Sequence, residues 1–252
     1  MQSTLHALAD QLTELDHVLE PLSEADWHLP TRCDGWDVAD VVIHLAQTND
    51  LARASAENRF TSFIQEMPNA TRLPVSIDDA ADIQVASERG LTGPALLDRW
   101  QTSATTMLEA LGSADPKARL TWVAGTLAPR TLATTRIAET WIHTGDVAHA
   151  LGITLAPTDR LEHIARLAWR TLPYAFARAG KSLFGPVDFD LMGPAGQSWH
   201  FEPESQPATT IRGSAIELCA VAARRVYPNE TSLVGSGPDF DEVLRLVRTY
   251  AQ

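Results

Sequence analysis

Between residues 2 and 20 apolar side chains recur at Leu5, Leu8, Leu12, Leu15 and Leu19. Steps of three and four put them on one face of a helix, so this stretch is predicted to be an amphipathic α-helix. Two prolines and a glycine in "PLSEADWHLPTRCDGW" break the pattern. A second long helix is expected from near Trp36 through "DVADVVIHLAQTNDLARASAENRF" towards Glu66. "MPNATRLP" reads as a loop and Asp78–Glu88 as a shorter helix. "GLTGPALLDRWQTSATTMLEALGSAD" reads as a third long helix opened by Thr92 and Pro94. After the connection "PKARLTWVAGTLAP", a fourth runs from about Leu132 to Leu151 and is stopped by Gly152. Four long helices with connections of unequal length predict a helix bundle.

Beyond residue 155 the pattern changes. "TDRLEHIARLAWRTLPYAFARAG" keeps helical spacing, but "VDFDLMG", "SWHFE" and "ATTIRG" are short and strand-like. "SAIELCAVAARRV" is again helical, followed by "TSLVGSG" and a last helix from about Asp239. The mixture predicts a small α+β domain. The expected division is residues 1–155 for the bundle and 156–252 for the α+β domain, with no repeats or low-complexity segments.

Composition narrows the function. The formal net charge of −12 argues against nucleic acid or an anionic membrane as partner. An anionic small molecule would need a local arginine. The first residues, "MQSTLHALADQLTELD", lack the basic start and apolar core of a signal peptide, and no apolar run reaches membrane-spanning length. The two cysteines, Cys33 and Cys219, are far apart and in no metal-binding spacing, so they are expected to be reduced thiols in a cytoplasmic protein. Cys33, beside Asp34 in a polar loop, fits a reactive thiol or a bystander.

The chemistry concentrates in "AETWIHTGDVAHALG", residues 138–152. On a helix, Glu139 and His143 lie one turn apart on the same face, a spacing that lets two side chains hold one ion. Arg136 and Asp146 extend the same polar stripe, opposite Ile137, Trp141, Thr144, Ala148 and Leu151. A solvated helix face has the same pattern. His44 likewise falls among Asp37, Asp40 and Thr48, away from Val38, Val42, Leu45 and Ala46. Periodicity leaves both readings open.

"CDGWDVADVVIHLAQ" resembles the Gly-Trp-x-Val…His-Leu segment that opens the second helix in the DinB-like superfamily, and is closest to its mycothiol-dependent maleylpyruvate isomerase branch. "RIAETWIHTGDVAHALG" resembles the Glu-x-x-x-His segment on that family's fourth helix. The resemblance implies three metal ligands: His44, Glu139 and His143. "GPAGQSWHF", "IRGSAIELCAVAARR" and "LVGSG" are similar to the branch's second domain, which has a sterol-carrier-like α/β fold. The implied architecture is a DinB-like four-helix bundle followed by that smaller domain.

Two imidazoles and one carboxylate form a catalytic zinc set with an open position. Zinc would hold a bound thiol as thiolate. The resemblance implies that this low-molecular-weight thiol is mycothiol, and that the second domain supplies a cleft arginine, placed best at Arg225. Such an arginine would grip a substrate carboxylate or enolate, although a basic helix end complementing the dipole is an equal reading. Asp146 is open to three roles: hydrogen-bonding partner of a ligand, general base, or exposed acid. The expected function is a thiol-dependent isomerase or S-transferase acting on a small electrophilic substrate. Two alternatives stand beside it: a thiol-independent enzyme using the metal as Lewis acid for isomerisation, lyase chemistry or hydrolysis, and a non-catalytic binding protein.

Overall fold

A computed structural model describes residues 1–68, 76–123 and 125–249. The chain divides into two compact units, Met1–Leu155 and Ala156–Ala251. The loop expected at "MPNATRLP" lies outside the described residues beyond Pro68.

The first unit contains α1 (Gln2–Leu19), α2 (Val38–Ala56), α3 (Phe60–Glu66), α4 (Ile77–Glu88), α5 (Gly93–Ser113) and α6 (Pro129–Ala150). In α1, Leu8, Leu12, Leu15 and Leu19 are buried, as the leucine spacing requires. The bundle is made by α1, α2, α5 and α6, with α1 and α2 each packing on both α5 and α6. Asp37 caps α2 by accepting a hydrogen bond from the Asp40 amide. The single helix expected to reach Glu66 is broken: α2 ends at Ala56, and Asn58 takes φ 59°, which few residues other than glycine and asparagine tolerate. The α5–α6 connection, to which the sequence pattern assigned no element, holds an antiparallel hairpin of β1 (Leu120–Trp122) and β2 (Gly125–Leu127). Helix α6 closes as expected, with Gly152 at φ 68° and the Ile153 amide donating back to the Ala148 carbonyl.

The polar stripe on α6 does not face solvent. Arg136 is 4% exposed, His143 8% and Asp146 0%, while Ile137, Thr144 and Ala148 on the opposite side are also buried. Helix α2 is similar, with Asp40, Gln47 and Asn49 buried among its apolar residues. Buried polar groups must find partners. Asn49 donates to Ser103 Oγ on α5 (3.1 Å), and Asp40 receives a two-pronged hydrogen bond from Arg89 (2.9 Å each).

The second unit contains α7 (Leu161–Arg170), α8 (Leu172–Arg178), β3 (Val187–Met192), β4 (Ser198–Phe201), β5 (Thr209–Ser214), α9 (Ala215–Ala222), β6 (Val234–Ser236) and α10 (Phe240–Leu246). Its sheet runs β4–β3–β5–β6, with β3 and β5 parallel and the outer pairs antiparallel. Alternation along β3 buries Val187, Phe189 and Leu191, and α7 packs against β3 and β4. At Gly235 a Cβ would lie 2.0 Å from the Thr210 carbonyl oxygen, so only glycine lets β6 approach β5 there. Helix α9 is shorter than expected: it ends at Ala222, and Arg224 takes φ 59°. Among the described residues, no helix is long and apolar enough to cross a membrane.

Candidate metal centre

Three side chains from two helices of the first unit converge. His44 projects from α2, and Glu139 and His143 project from adjacent turns of α6. Glu139 Oε1 is 2.9 Å from His44 Nε2 and 3.7 Å from His143 Nε2. One ligand atom from each of the three lies within 4.8 Å of the others. Nitrogen and oxygen ligands about 2.0–2.1 Å from a tetrahedral zinc ion stand about 3.4 Å apart, so the observed spacings bracket what a shared ion needs. The side chains of His44, Glu139 and His143 keep 13%, 17% and 11% of their surface exposed, which leaves one side of the cluster reachable. The donor set and its convergence fit a divalent ion of the zinc type.

The surrounding residues orient these three side chains. Asp146 Oδ2 is 3.1 Å from His143 Nδ1, which turns Nε2 towards Glu139. The Trp36 ring packs against His44 with centroids 5.0 Å apart, and its Nε1–H donates to Asp82 Oδ1 at 2.8 Å. Arg136 Nη2 approaches the other Glu139 oxygen, Oε2, at 3.7 Å. Cys33 Sγ donates to Asp146 Oδ2 at 3.4 Å and lies 3.8 Å from His143 Nδ1. It therefore stands on the Nδ1 side of the imidazole, behind the nitrogen that faces Glu139.

The electrostatics match this packing. Burial alone would raise the Glu139 pKa, but hydrogen bonds from His143 and His44 and the Arg136 charge hold it well below the carboxylate range. Burial works the other way on His143, yet Asp146, Cys33 and Glu139 lift its pKa well above that of a free imidazole. In His44, burial prevails over the Glu139 contact and lowers the pKa. The carboxylates of Glu139 and Asp146 on either side of His143 favour positive charge there, whether carried by the imidazole or by an ion.

Asp146 is completely buried against His143, a position that suits an orienting partner better than an exposed acid. Arg225 belongs to the second unit. It follows the end of α9, with Nη1 donating to the Ala223 carbonyl at 3.0 Å. His149 hydrogen-bonds Arg32 (3.0 Å) and takes no part in the cluster. Trp122, whose ring centre lies 5.5 Å from the Arg136 guanidinium carbon, was not legible as a contributor, because it comes from a segment distant in sequence. The approach of Cys33 was legible from its place just before the "DGW" segment.

Comparison with known proteins identifies the family. The family model for the mycothiol maleylpyruvate isomerase N-terminal domain matches residues 8–148, which contain all three converging side chains. Two Mycobacterium tuberculosis proteins, from strains CDC 1551 / Oshkosh and ATCC 25618 / H37Rv and both described as uncharacterized, are each 30% identical over 243 residues. The match covers 94% of this chain and 91% of each relative. The crystal structure of a mycothiol-dependent maleylpyruvate isomerase shares the fold, with a TM-score of 0.63 at 18% identity over 93% of this chain and 92% of that one. A histidine-to-alanine mutant of such an enzyme aligns over the same shares with a TM-score of 0.62 at 18% identity. The match over more than half the chain, together with the full-length relatives, identifies it as a member of the mycothiol maleylpyruvate isomerase N-terminal domain family.

Proposed function

We propose that this protein is a zinc-type metalloenzyme that uses a low-molecular-weight thiol of the mycothiol kind to isomerise a small electrophilic metabolite. The observation that carries the reading is the approach of His44 Nε2 and His143 Nε2 to the same oxygen of Glu139. Family membership points to the thiol, and the neutral-nitrogen and carboxylate donor set points to zinc. Bound there, the ion would supply a Lewis-acidic open position that favours thiolate over thiol.

The chain's own residues have separate tasks in this reading. His44, Glu139 and His143 hold the ion. Asp146 orients His143 and keeps its Nε2 lone pair available when the ion is present. Trp36 fixes the ring of His44. Arg225 is assigned to the second domain's anion-gripping role, since a guanidinium suits a planar carboxylate or enolate. Cys33, on the far side of His143, is assigned no ligand role. An S-transferase would use the same parts, with the thioether retained in the product.

The test is a titration of cobalt-substituted Cys33→Ser protein with thiols. A new sulfur-to-metal charge-transfer band upon thiol addition is expected, together with turnover that requires the thiol. Absence of the band with every thiol, alongside full turnover in thiol-free buffer, would replace this reading with Lewis-acid catalysis.

A further inference from the structure

Arg136 is a buried cation with incomplete hydrogen bonding. It is 4% exposed, and its Nε has no hydrogen-bond partner among the described residues. Its guanidinium carbon lies 5.5 Å from the centre of the Trp122 ring, and its Nη2 stands 3.7 Å from Glu139 Oε2. Burying a guanidinium on these terms is costly, and an apolar side chain of similar volume would fill the space more cheaply. The cost is understandable if the charge serves the neighbouring carboxylate. The two oxygens of Glu139 are divided: Oε1 faces both imidazoles and Oε2 faces Arg136.

We propose that Arg136, seated against Trp122, is a positioning residue that keeps Glu139 Oε2 off the metal, so that one coordination position stays open for an incoming anionic ligand. The inference rests on the metal-centre reading and adds the residue that sets how many ligand atoms the protein contributes. A carboxylate free to turn would bind the ion through both oxygens and close that position. Charge acts in the same direction. With neutral imidazoles, a divalent ion and Arg136 outweigh Glu139 and Asp146 by one positive charge, and a single anionic ligand neutralises the site. Without Arg136 the loaded site is already neutral and attracts an anion less strongly.

The experiment uses the full chain loaded with cobalt and 2-mercaptoethanol as the probe, with binding read from the charge-transfer band. Arg136→Gln is expected to keep its cobalt but bind the thiol about tenfold more weakly, the scale of removing one unit charge several ångströms away in a partly screened site. Arg136→Lys, which restores the charge, should recover most of that affinity. X-ray absorption of zinc-loaded wild type should show one carboxylate oxygen in the ligand shell, a measurement that needs no variant to fold. Wild-type thiol affinity in Arg136→Gln, loss of its cobalt despite native circular dichroism, or two carboxylate oxygens in the wild type would each overturn the proposal. Failure of the wild type itself to take up cobalt or zinc would instead remove the metal-centre reading, and this inference with it.

Discussion

Asp146 Oδ2 and His143 Nδ1 stand 3.1 Å apart on successive turns of α6, a contact that turns the imidazole so that Nε2 faces Glu139. With Nδ1 committed to a buried carboxylate, only Nε2 remains to face Glu139 and His44. Partners of this kind typically contribute about 10- to 100-fold to metal affinity. Asp146→Asn is therefore expected to weaken zinc binding by about that factor, with secondary structure unchanged. Competition with a chromophoric chelator measures it, and unaltered affinity would show that Asp146 does not orient the ligand.

The three proposed ligands are expected to have a larger effect. His44→Ala and His143→Ala, singly, should reduce the metal bound by purified protein well below the wild-type level, because two remaining side chains make a poor zinc site. Ile137→Ala offers the contrast on the same helix. Ile137 is fully buried away from the stripe, so its truncation should cost about 2–5 kcal/mol of folding stability while leaving metal stoichiometry intact. Elemental analysis beside denaturant unfolding separates the two effects.

Metal affinity should fall with decreasing pH. The raised His143 pKa means that the ion must displace a proton held by Asp146, Cys33 and Glu139 despite burial. One displaced proton gives about a tenfold loss of apparent affinity per pH unit below that pKa. In metal-free protein the signs are opposed. The raised His143 value contributes stability that is complete below the unfolded imidazole pKa and lost as pH rises through the folded one. The depressed Glu139 value contributes stability above its unfolded pKa that is lost as pH falls through the folded one. The zinc-induced rise in Tm should therefore widen as pH rises towards the raised His143 pKa, where the ion no longer has to displace that proton. A pH-independent rise would contradict the assignment of His143.

Cys33 contacts the orienting side of His143 rather than the nitrogen facing Glu139. Cys33→Ser should thus retain metal with affinity within about threefold of wild type, since a hydroxyl can still donate to Asp146. If Cys33 were a ligand, the substitution would strip the metal and remove any thiolate band present before thiol is added.

Much of this protein was legible from local pattern. The leucine spacing of α1, the Gly152 stop of α6 and the alternation in β3 follow from the period of each element and from the conformations that glycine allows. The Glu139–His143 spacing was legible in the same way, since four residues make about one helical turn whatever surrounds them.

The burial of that turn could not be read locally. Arg136, Glu139, His143 and Asp146 have the periodicity of a solvated stripe, and the same letters on an exposed helix would be an ordinary charged face. Tertiary packing decides the matter by bringing α2 against α6, so that His44 meets Glu139 across 95 positions of sequence. It also brings Trp122, from a hairpin that the sequence pattern did not reveal, against Arg136. Helical periodicity records which residues share a face, because that depends only on backbone geometry. Whether water or another helix covers that face depends on contacts between distant segments, and here a second helix turns a polar stripe into a candidate metal centre.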